Sequence, residues 1–117
     1  MTPPPWLTVT ADPVPADLDG RDCRTRAALF TEAARALAFP DYFGRNWDAF
    51  ADCLRDLDRP SLTVAHADEL LAEEDTSQLA ILLDVLAEAS ADGLKITFTV
   101  HPDREPDLED RITAALT

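Results

Sequence analysis

Residues 39–54 read FPDYFGRNWDAFADCL, which predicts a helix end, an aromatic loop and a second helix in succession. Pro40 disfavours the α conformation for the residue before it, so the first helix is expected to end there. Gly44 gives the loop a residue that adopts a positive φ without strain. Asn46 is a favoured N-cap residue and predicts that the second helix begins at Trp47.

The second helix is predicted to run from Trp47 to about Leu57 with one apolar face. Its apolar side chains recur at helical spacing, at Ala49, Phe50, Cys53, Leu54 and Leu57. Asp48 and Asp52 stand one turn apart on the opposite face, with Trp47 at the border. We therefore expect a packed helix that presents two carboxylates outward, together with Tyr42 and part of Trp47.

This stretch resembles the barstar family, the intracellular inhibitors that bacteria use against a secreted ribonuclease. The shared segment reads proline, acid, tyrosine, aromatic, glycine, x, asparagine, x, aspartate, and here it spans Pro40 to Asp48. A further aspartate follows one turn later, at Asp52. The motif is long and compositionally unusual, and it is therefore far more specific than a lone glycine motif. The alignment runs without gaps over residues 20–54 and again over 86–100.

The resemblance implies a fold and an inhibitory surface. The fold is α/β, a small three-stranded parallel sheet packed with α-helices, to which this chain adds a candidate N-terminal strand and a candidate C-terminal helix. Tyr42 matches a loop tyrosine that packs on a catalytic histidine of the nuclease. Asp48 and Asp52 match the aspartates that enter its active site, the second as a mimic of a substrate phosphate. Glu88 matches an acid that contacts the nuclease rim. The implied partner-binding residues are Tyr42, Phe43, Gly44, Asn46, Trp47, Asp48, Ala51, Asp52 and Glu88.

The residues themselves leave other interpretations open. Exposed acids on a helix are usually solvated and without function, and Tyr42 and Trp47 could be core aromatics. A metal site would need a histidine cluster or a third carboxylate at recognisable spacing, so a metal-dependent hydrolase is the weakest hypothesis. His66 and His101 have no nucleophile nearby in the sequence, and three glycines do not form a phosphate loop. We expect no catalytic residue, no metal, no cofactor and no enzymatic activity.

Composition indicates one acidic globular domain. We predict a single domain over residues 1–117, with a core at about 14–101 and extensions at 1–13 and 102–117. The net charge of −13 argues against nucleic acid and anionic membranes as partners and favours a basic protein. We expect a one-to-one complex with a basic, extracellular-type ribonuclease, formed by a chain that is monomeric when free.

The sequence contains neither a recognisable secretion signal nor an apolar run of membrane-spanning length. We therefore expect a cytoplasmic protein. Cys23 and Cys53 lack metal-type spacing and are too few for a disulfide framework, so both are expected to be free thiols.

Four features depart from the family pattern. Ala51 stands where the best-known member has a bulky aromatic residue, Arg45 replaces an acid, and Arg55 adds a positive charge near the exposed face. The helix exit, residues 56–59, also lacks a glycine-aromatic pair. These differences leave open an alternative function, a barstar-like immunity or adaptor protein for a different basic toxin or protein partner.

Strands that alternate with helices predict a parallel sheet. Strands are predicted at residues 6–9, 14–18, 61–65 and 95–100. Helices are predicted at 25–37, 47–57, 76–92 and 108–116, with a short helix or turn at 68–74. Thr25 or a neighbouring residue is expected to cap the first helix. Either Thr76 or Ser77 is expected to cap the long helix, which Gly93 ends in a left-handed conformation. Residues 102–106 are expected to form an acidic linker.

Overall fold

The computed structural model describes residues 3–117, which form a four-stranded parallel sheet and four α-helices. Met1 and Thr2, which belong to the predicted N-terminal extension, lie outside the described residues. The strands are β1 (Leu7–Thr10), β2 (Leu18–Asp19), β3 (Ser61–Ala65) and β4 (Lys95–Thr99). The helices are α1 (Arg26–Ala36), α2 (Trp47–Arg55), α3 (Thr76–Ala91) and α4 (Glu105–Leu116). Short 3-10 helices span Gly20–Asp22, Ala67–Glu69 and Pro102–Arg104.

The sheet has the strand order β1-β4-β3-β2, and its neighbouring strands pair in parallel. β4 lies between β3 and β1, so Ile96 pairs with Leu62 on one side and with Leu7 on the other. Parallel strands need crossover connections, which α1 and α2 supply between β2 and β3, and α3 between β3 and β4. The predicted α/β fold with a parallel sheet is confirmed, and the candidate N-terminal strand is present as β1.

The strand predicted at residues 14–18 is wrong in extent, because pairing begins only at its end. β2 comprises Leu18–Asp19 and lies beside β3. Pro15 has no N–H to donate to a neighbouring strand. Asp17 then bonds Thr63 twice: its N–H donates to the carbonyl (2.8 Å), and its carboxylate accepts from the N–H (2.9 Å). The chain therefore joins the sheet late, and β2 is a short edge strand.

The ends of α1 and α3 follow from the side chains that cap them. Thr25 accepts a hydrogen bond from a backbone N–H in the first turn of α1 (3.1 Å), which confirms the predicted cap. The N-cap of α3 is Asp75 and not Thr76 or Ser77, because the aspartate carboxylate accepts from the Ser77 N–H (3.0 Å). Gly93 adopts a φ of 109° and ends this helix as predicted.

The segment at residues 102–106 is helical and is not the acidic linker that we expected. A 3-10 helix leads directly into α4, which begins at Glu105. Pro102 and Pro106 both lie in the first turn of a helix, where no backbone N–H donor is needed. The prolines therefore begin helices here and do not interrupt them.

Buried hydrophobic side chains come from the four described strands and from α1 to α4. Leu7 in β1 and both Leu108 and Ile112 in α4 are buried, so the segments near the two termini contribute to the core. Arg104 also ties the start of α4 to the buried carboxylate of Asp68 (3.2 Å). Within residues 3–117, no helix combines the length and the apolarity needed to cross a membrane.

Candidate protein-binding surface

The loop between α1 and α2 is bonded to its own backbone. Ala38 adopts a φ of 54° two residues after the end of α1, and the Phe39 N–H donates to a carbonyl in the last turn of that helix (3.0 Å). A turn follows, in which the Phe43 N–H donates to the carbonyl of Pro40 (3.0 Å). Tyr42 lies within this turn and is 86% exposed. The backbone hydrogen bonds of the loop therefore hold the Tyr42 side chain in a solvent-exposed position.

The positive φ that we expected at Gly44 is found at Arg45 instead, with a value of 53°. The guanidinium of Arg45 donates to the hydroxyl of Thr31 and to the carbonyl of Ala27 (3.4 Å), so α1 holds this residue in place. A side chain at Gly44 would approach Asn46 Nδ2 to 3.2 Å. Glycine therefore suits position 44 because it has no Cβ atom to crowd the side chain of Asn46.

An aromatic cluster joins the loop to α1 and α2, and it consists of Phe30, Phe39, Phe43, Trp47 and Phe50. Ring centroids in contact are 5.1 to 5.9 Å apart, mostly in edge-to-face geometry. Trp47 is half-buried, as predicted, and its Nε1–H donates to Gln78 on α3 (3.1 Å). The cluster fixes the position of the loop and of the first turn of α2.

The exposed face of α2 carries the two aspartates that the sequence predicted. Asn46 accepts a hydrogen bond from the Ala49 N–H (2.8 Å), which confirms it as the N-cap, and α2 begins at Trp47. Asp48 and Asp52 are both exposed, while Phe50 and Leu54 on the opposite face are buried. Within residues 3–117, no group of three or more His, Cys, Asp or Glu side chains is placed to bind a metal ion.

Asp52 has an intramolecular partner that sequence reasoning missed. Arg55, one turn later on α2, forms an ion pair with its carboxylate. The side chains of Asp52 and Arg55 are 65% and 51% exposed, so water and salt screen this pair. Exposed pairs of this spacing contribute about 0.3–0.5 kcal/mol, which is too little to withhold Asp52 from a stronger partner. Asp48 forms no ion pair with the described residues.

The remaining predicted partner-binding residues do not all lie on the exposed face of α2. Ala51 is half-buried on α2, and Asn46 is occupied by its capping bonds. Glu88 is exposed on α3, the helix that packs against α2. No hydrogen bond or ion pair within residues 3–117 joins its side chain to the loop or to α2. The structure thus places Tyr42, Asp48 and Asp52 on one loop-helix unit and Glu88 on a neighbouring element.

Comparison with known proteins assigns the chain to a family. The family model described as Barstar (barnase inhibitor) matches residues 14–102, well over half of the chain. The chain belongs to the barstar family. One relative is a Bacillus subtilis (strain 168) protein named "Putative ribonuclease inhibitor YrdF", which is 49% identical to this chain over 37 residues. That match covers 32% of this barstar-family chain and 41% of the relative, so it spans less than half of either protein.

A groove that the sequence did not reveal is lined in part by the barstar-type motif itself, including Pro40, Tyr42 and Gly44. It has a volume of about 420 Å³, lies between the loop and the second half of α2, and is called the loop–α2 groove below. Its apolar lining comes from Leu37, Phe39, Phe43 and Leu57. Its acidic lining comes from Asp52, Asp56 and Asp58. The two later acids are visible in the sequence, but their position against the loop depends on where the chain turns after α2.

The two cysteines of this barstar-family chain are free and differ in their environments. Cys23 is fully buried, and burial raises the pKa of its thiol to about 12. Cys53 is half-buried and lines the loop–α2 groove. Burial, together with the charges of Asp56 and Asp52, raises the pKa of the Cys53 thiol. The groove therefore has a negative electrostatic environment.

Proposed function

We propose that this protein inhibits a small basic ribonuclease by placing Tyr42, Asp48 and Asp52 in the active site of the enzyme. Membership of the barstar family supports this function. The observation that carries the proposal is the exposed pair Asp48 and Asp52, held on a helix whose opposite face is buried. Outward carboxylates on a fixed support resemble the phosphates that such an enzyme binds.

The proposed inhibition involves binding alone. Arginine side chains that grip RNA phosphate have the charge and fork geometry to bind carboxylates as well. Asp48 and Asp52 would accept hydrogen bonds from those arginines, and Tyr42 would pack on a histidine of the site. With α2 in the cleft, RNA is excluded. The complex would contain one copy of each protein, form in the cytoplasm and protect the cell from the enzyme.

The rigidity of the loop supports tight binding. Ordering a flexible loop on association costs free energy, which subtracts from affinity. The aromatic cluster and the bond from Phe43 to Pro40 already hold the loop in the free protein. The net charge of −13 would also attract a basic enzyme and speed association, an effect that salt weakens.

A binding measurement with Asp52→Ala tests the proposal. Barnase serves as the first probe, and a small basic ribonuclease from the same organism as the second, with affinity measured by calorimetry and by inhibition of RNA cleavage. Substitution of a central interface anchor by alanine should cost at least ~2 kcal/mol of binding free energy. This threshold comes from measured interfaces, one of barstar among them. Asp110→Ala is the matched control, because Asp110 is an exposed helical aspartate on α4.

The control removes the same charge and should change affinity by less than about 0.5 kcal/mol. Equal affinities of Asp52→Ala and the unaltered protein for a ribonuclease that binds would remove the proposed role of Asp52. Failure to bind either enzyme would count against ribonuclease inhibition itself.

The alternative function, immunity or adaptor activity toward a different basic protein, is favoured by two observations. Ala51 offers a small, half-buried surface where the best-known family member has a bulky aromatic side chain. Asp56 and Asp58 add acids outside the motif. Affinity capture separates the hypotheses, since a basic partner without ribonuclease activity, bound through Asp48 and Asp52, would favour the alternative.

A further inference from the structure

A second cavity, called the α3–α4 cavity below, lies between the start of α3 and α4 and has a volume of about 340 Å³. It shares no lining residue with the loop–α2 groove. Its charged lining consists of Glu74, Asp110 and Arg111. Because α4 begins after the residues that the family model matches, 14–102, the cavity depends on a part of the chain outside that match.

Arg111 is a half-buried cation without a carboxylate partner. Its Nη1 group donates to the backbone carbonyl of Asp68 (2.8 Å), and it forms no ion pair within residues 3–117. Burial lowers the pKa of its guanidinium, whereas hydrogen bonds to carboxylates raise the pKa of Arg24 and of Arg35. A charge that is partly withdrawn from water without a counter-ion costs stability. The guanidinium is therefore free to bind an anionic group from another molecule.

Two carboxylates bring the opposite charge to the same cavity. Glu74 accepts a hydrogen bond from the backbone N–H of Arg26 (2.8 Å), and Asp110 is exposed. In the described part of the chain neither acid forms an ion pair, although Arg111 lines the cavity with them. Opposite charges that share a cavity without pairing can be bridged by a ligand that carries both charges.

The charges of the α3–α4 cavity discriminate between classes of ligand. A free anion would be repelled by the two carboxylates and by the net charge of −13. A simple cation would be repelled by Arg111. A zwitterion has no net charge, so it avoids both penalties, and its carboxylate can accept two parallel hydrogen bonds from a guanidinium.

The uncharged lining of the α3–α4 cavity fits a small molecule with an apolar group. Ala72, Leu79 and Ala114 contribute apolar surface, and Thr76 contributes a hydroxyl group. A volume of about 340 Å³ is near the lower end for ligand pockets, which excludes a large cofactor. A free amino acid combines adjacent opposite charges with a side chain of suitable size.

We infer that the α3–α4 cavity binds a free α-amino acid with an apolar side chain. Its carboxylate pairs with Arg111, and its ammonium group pairs with Asp110 and with the second carboxylate oxygen of Glu74. This activity goes beyond ribonuclease inhibition and does not depend on it. Because the ligand binds the folded chain, it raises the stability of the protein as its concentration rises.

Calorimetry on the full chain tests the ligand class. The probes are L-alanine, L-valine, L-leucine and L-methionine, of which at least one should bind. For L-leucine, two analogues remove one charge each: L-leucinamide lacks the carboxylate, and N-acetyl-L-leucine lacks the ammonium group. Each analogue should bind at least about tenfold more weakly than L-leucine. Equal binding of either analogue, or no binding of any amino acid up to about 10 mM, would overturn the inference.

Two variants test the residues. Arg111→Met keeps a long side chain and removes the charge, so amino-acid affinity should fall at least about tenfold. Its thermal stability without ligand should stay equal or rise, because a cation without a counter-ion is removed. Asp110→Asn lies on the exposed face of α4 and should fold normally, yet it should also weaken binding. Arg35→Met is the matched control and should leave amino-acid affinity unchanged, because Arg35 lies on α1 and pairs with Glu32.

Amide chemical shifts locate the bound amino acid. Saturation with the amino acid should shift the backbone amide signals of Ala72 and Ala114, which line the α3–α4 cavity, and should leave that of Tyr42 unchanged. Shifts confined to the loop and α2, or unaltered affinity in either Arg111→Met or Asp110→Asn, would overturn the inference. Asp52→Ala should bind the amino acid as the unaltered protein does, so failure of the proposed inhibition would leave this result intact.

Discussion

Arg55 is expected to weaken the complex, so its removal should strengthen binding. The guanidinium lies on the exposed face of α2 and pairs with Asp52, the carboxylate proposed to enter the nuclease site. A bound enzyme would have to displace that pair and would also meet an additional positive charge. Arg55→Ala removes both effects and leaves the buried face of the helix unchanged.

The magnitude follows from the exposure of the two side chains. Breaking the Asp52–Arg55 ion pair on binding costs the complex about 0.3–0.5 kcal/mol of affinity, the usual value for an exposed helical pair. Two like charges about 7 Å apart repel by about 0.6 kcal/mol in water and about 2.4 kcal/mol at an effective dielectric constant of 20. Salt screens the repulsion between the two like charges and so reduces this contribution. We expect a net gain of about 1 kcal/mol, roughly fivefold in Kd.

Surface plasmon resonance at low and at high salt measures this change. The gain should lie mainly in the association rate and should shrink as salt rises. Arg35→Ala is the matched control, because Arg35 forms an exposed ion pair of the same spacing with Glu32 on α1. Weaker or unchanged binding of Arg55→Ala would refute the competition described here, and weaker binding would indicate that Arg55 contacts an acid of the partner.

Three further outcomes are expected of the free protein. Asn46→Ala should lower the free energy of unfolding by about 1 kcal/mol through loss of the α2 N-cap, whereas Asn46→Asp should preserve it; denaturant titration measures both, and equal loss in the two variants would contradict the capping role. A hydrogen bond from Ser77 lowers the pKa of Asp75 below its usual value, so this stabilisation is present above about pH 4 and lost as the pH falls through the lower folded-state pKa. Acid titrations should therefore show a smaller loss of stability for Asp75→Asn than for the unaltered protein, and identical curves would contradict the assignment. At about pH 8, Cys23 should react with a disulfide reagent only on unfolding, because its thiol pKa of about 12 keeps it protonated. Reaction of Cys23 and Cys53 with the reagent at the same rate in the native state would contradict this.

Local patterns predicted the regular elements well where the side chains themselves supply the signal. β3 matches residues 61–65, because its short β-branched pattern is bounded by a proline on one side. Asn46 and Gly93 marked helix ends correctly, since capping uses atoms of the residue itself. Asp75 was missed because three successive residues can all cap a helix, and the choice depends on the path of the preceding chain.

The composition of the candidate site was predictable from the sequence, whereas its contacts were less so. Asp48, Asp52 and Tyr42 face solvent, as helical spacing and the loop motif indicated. The ion pair between Asp52 and Arg55 agrees with their spacing of three residues on one helix, which is visible in the sequence. The loop–α2 groove could not be predicted, because it arises where two separated segments meet and depends on the tertiary path between them.

The place of β1 at the edge of the sheet has a consequence for how far the chain can be shortened. The family match covers residues 14–102, yet β4 owes its second hydrogen-bonded neighbour to residues that precede that span. Trimming the protein to the matched span would bare the flank of β4 and remove Leu7, Leu108 and Ile112 from the interior. An uncovered strand flank invites pairing between molecules, so the trimmed protein should self-associate even though every residue of its proposed nuclease-binding face is intact.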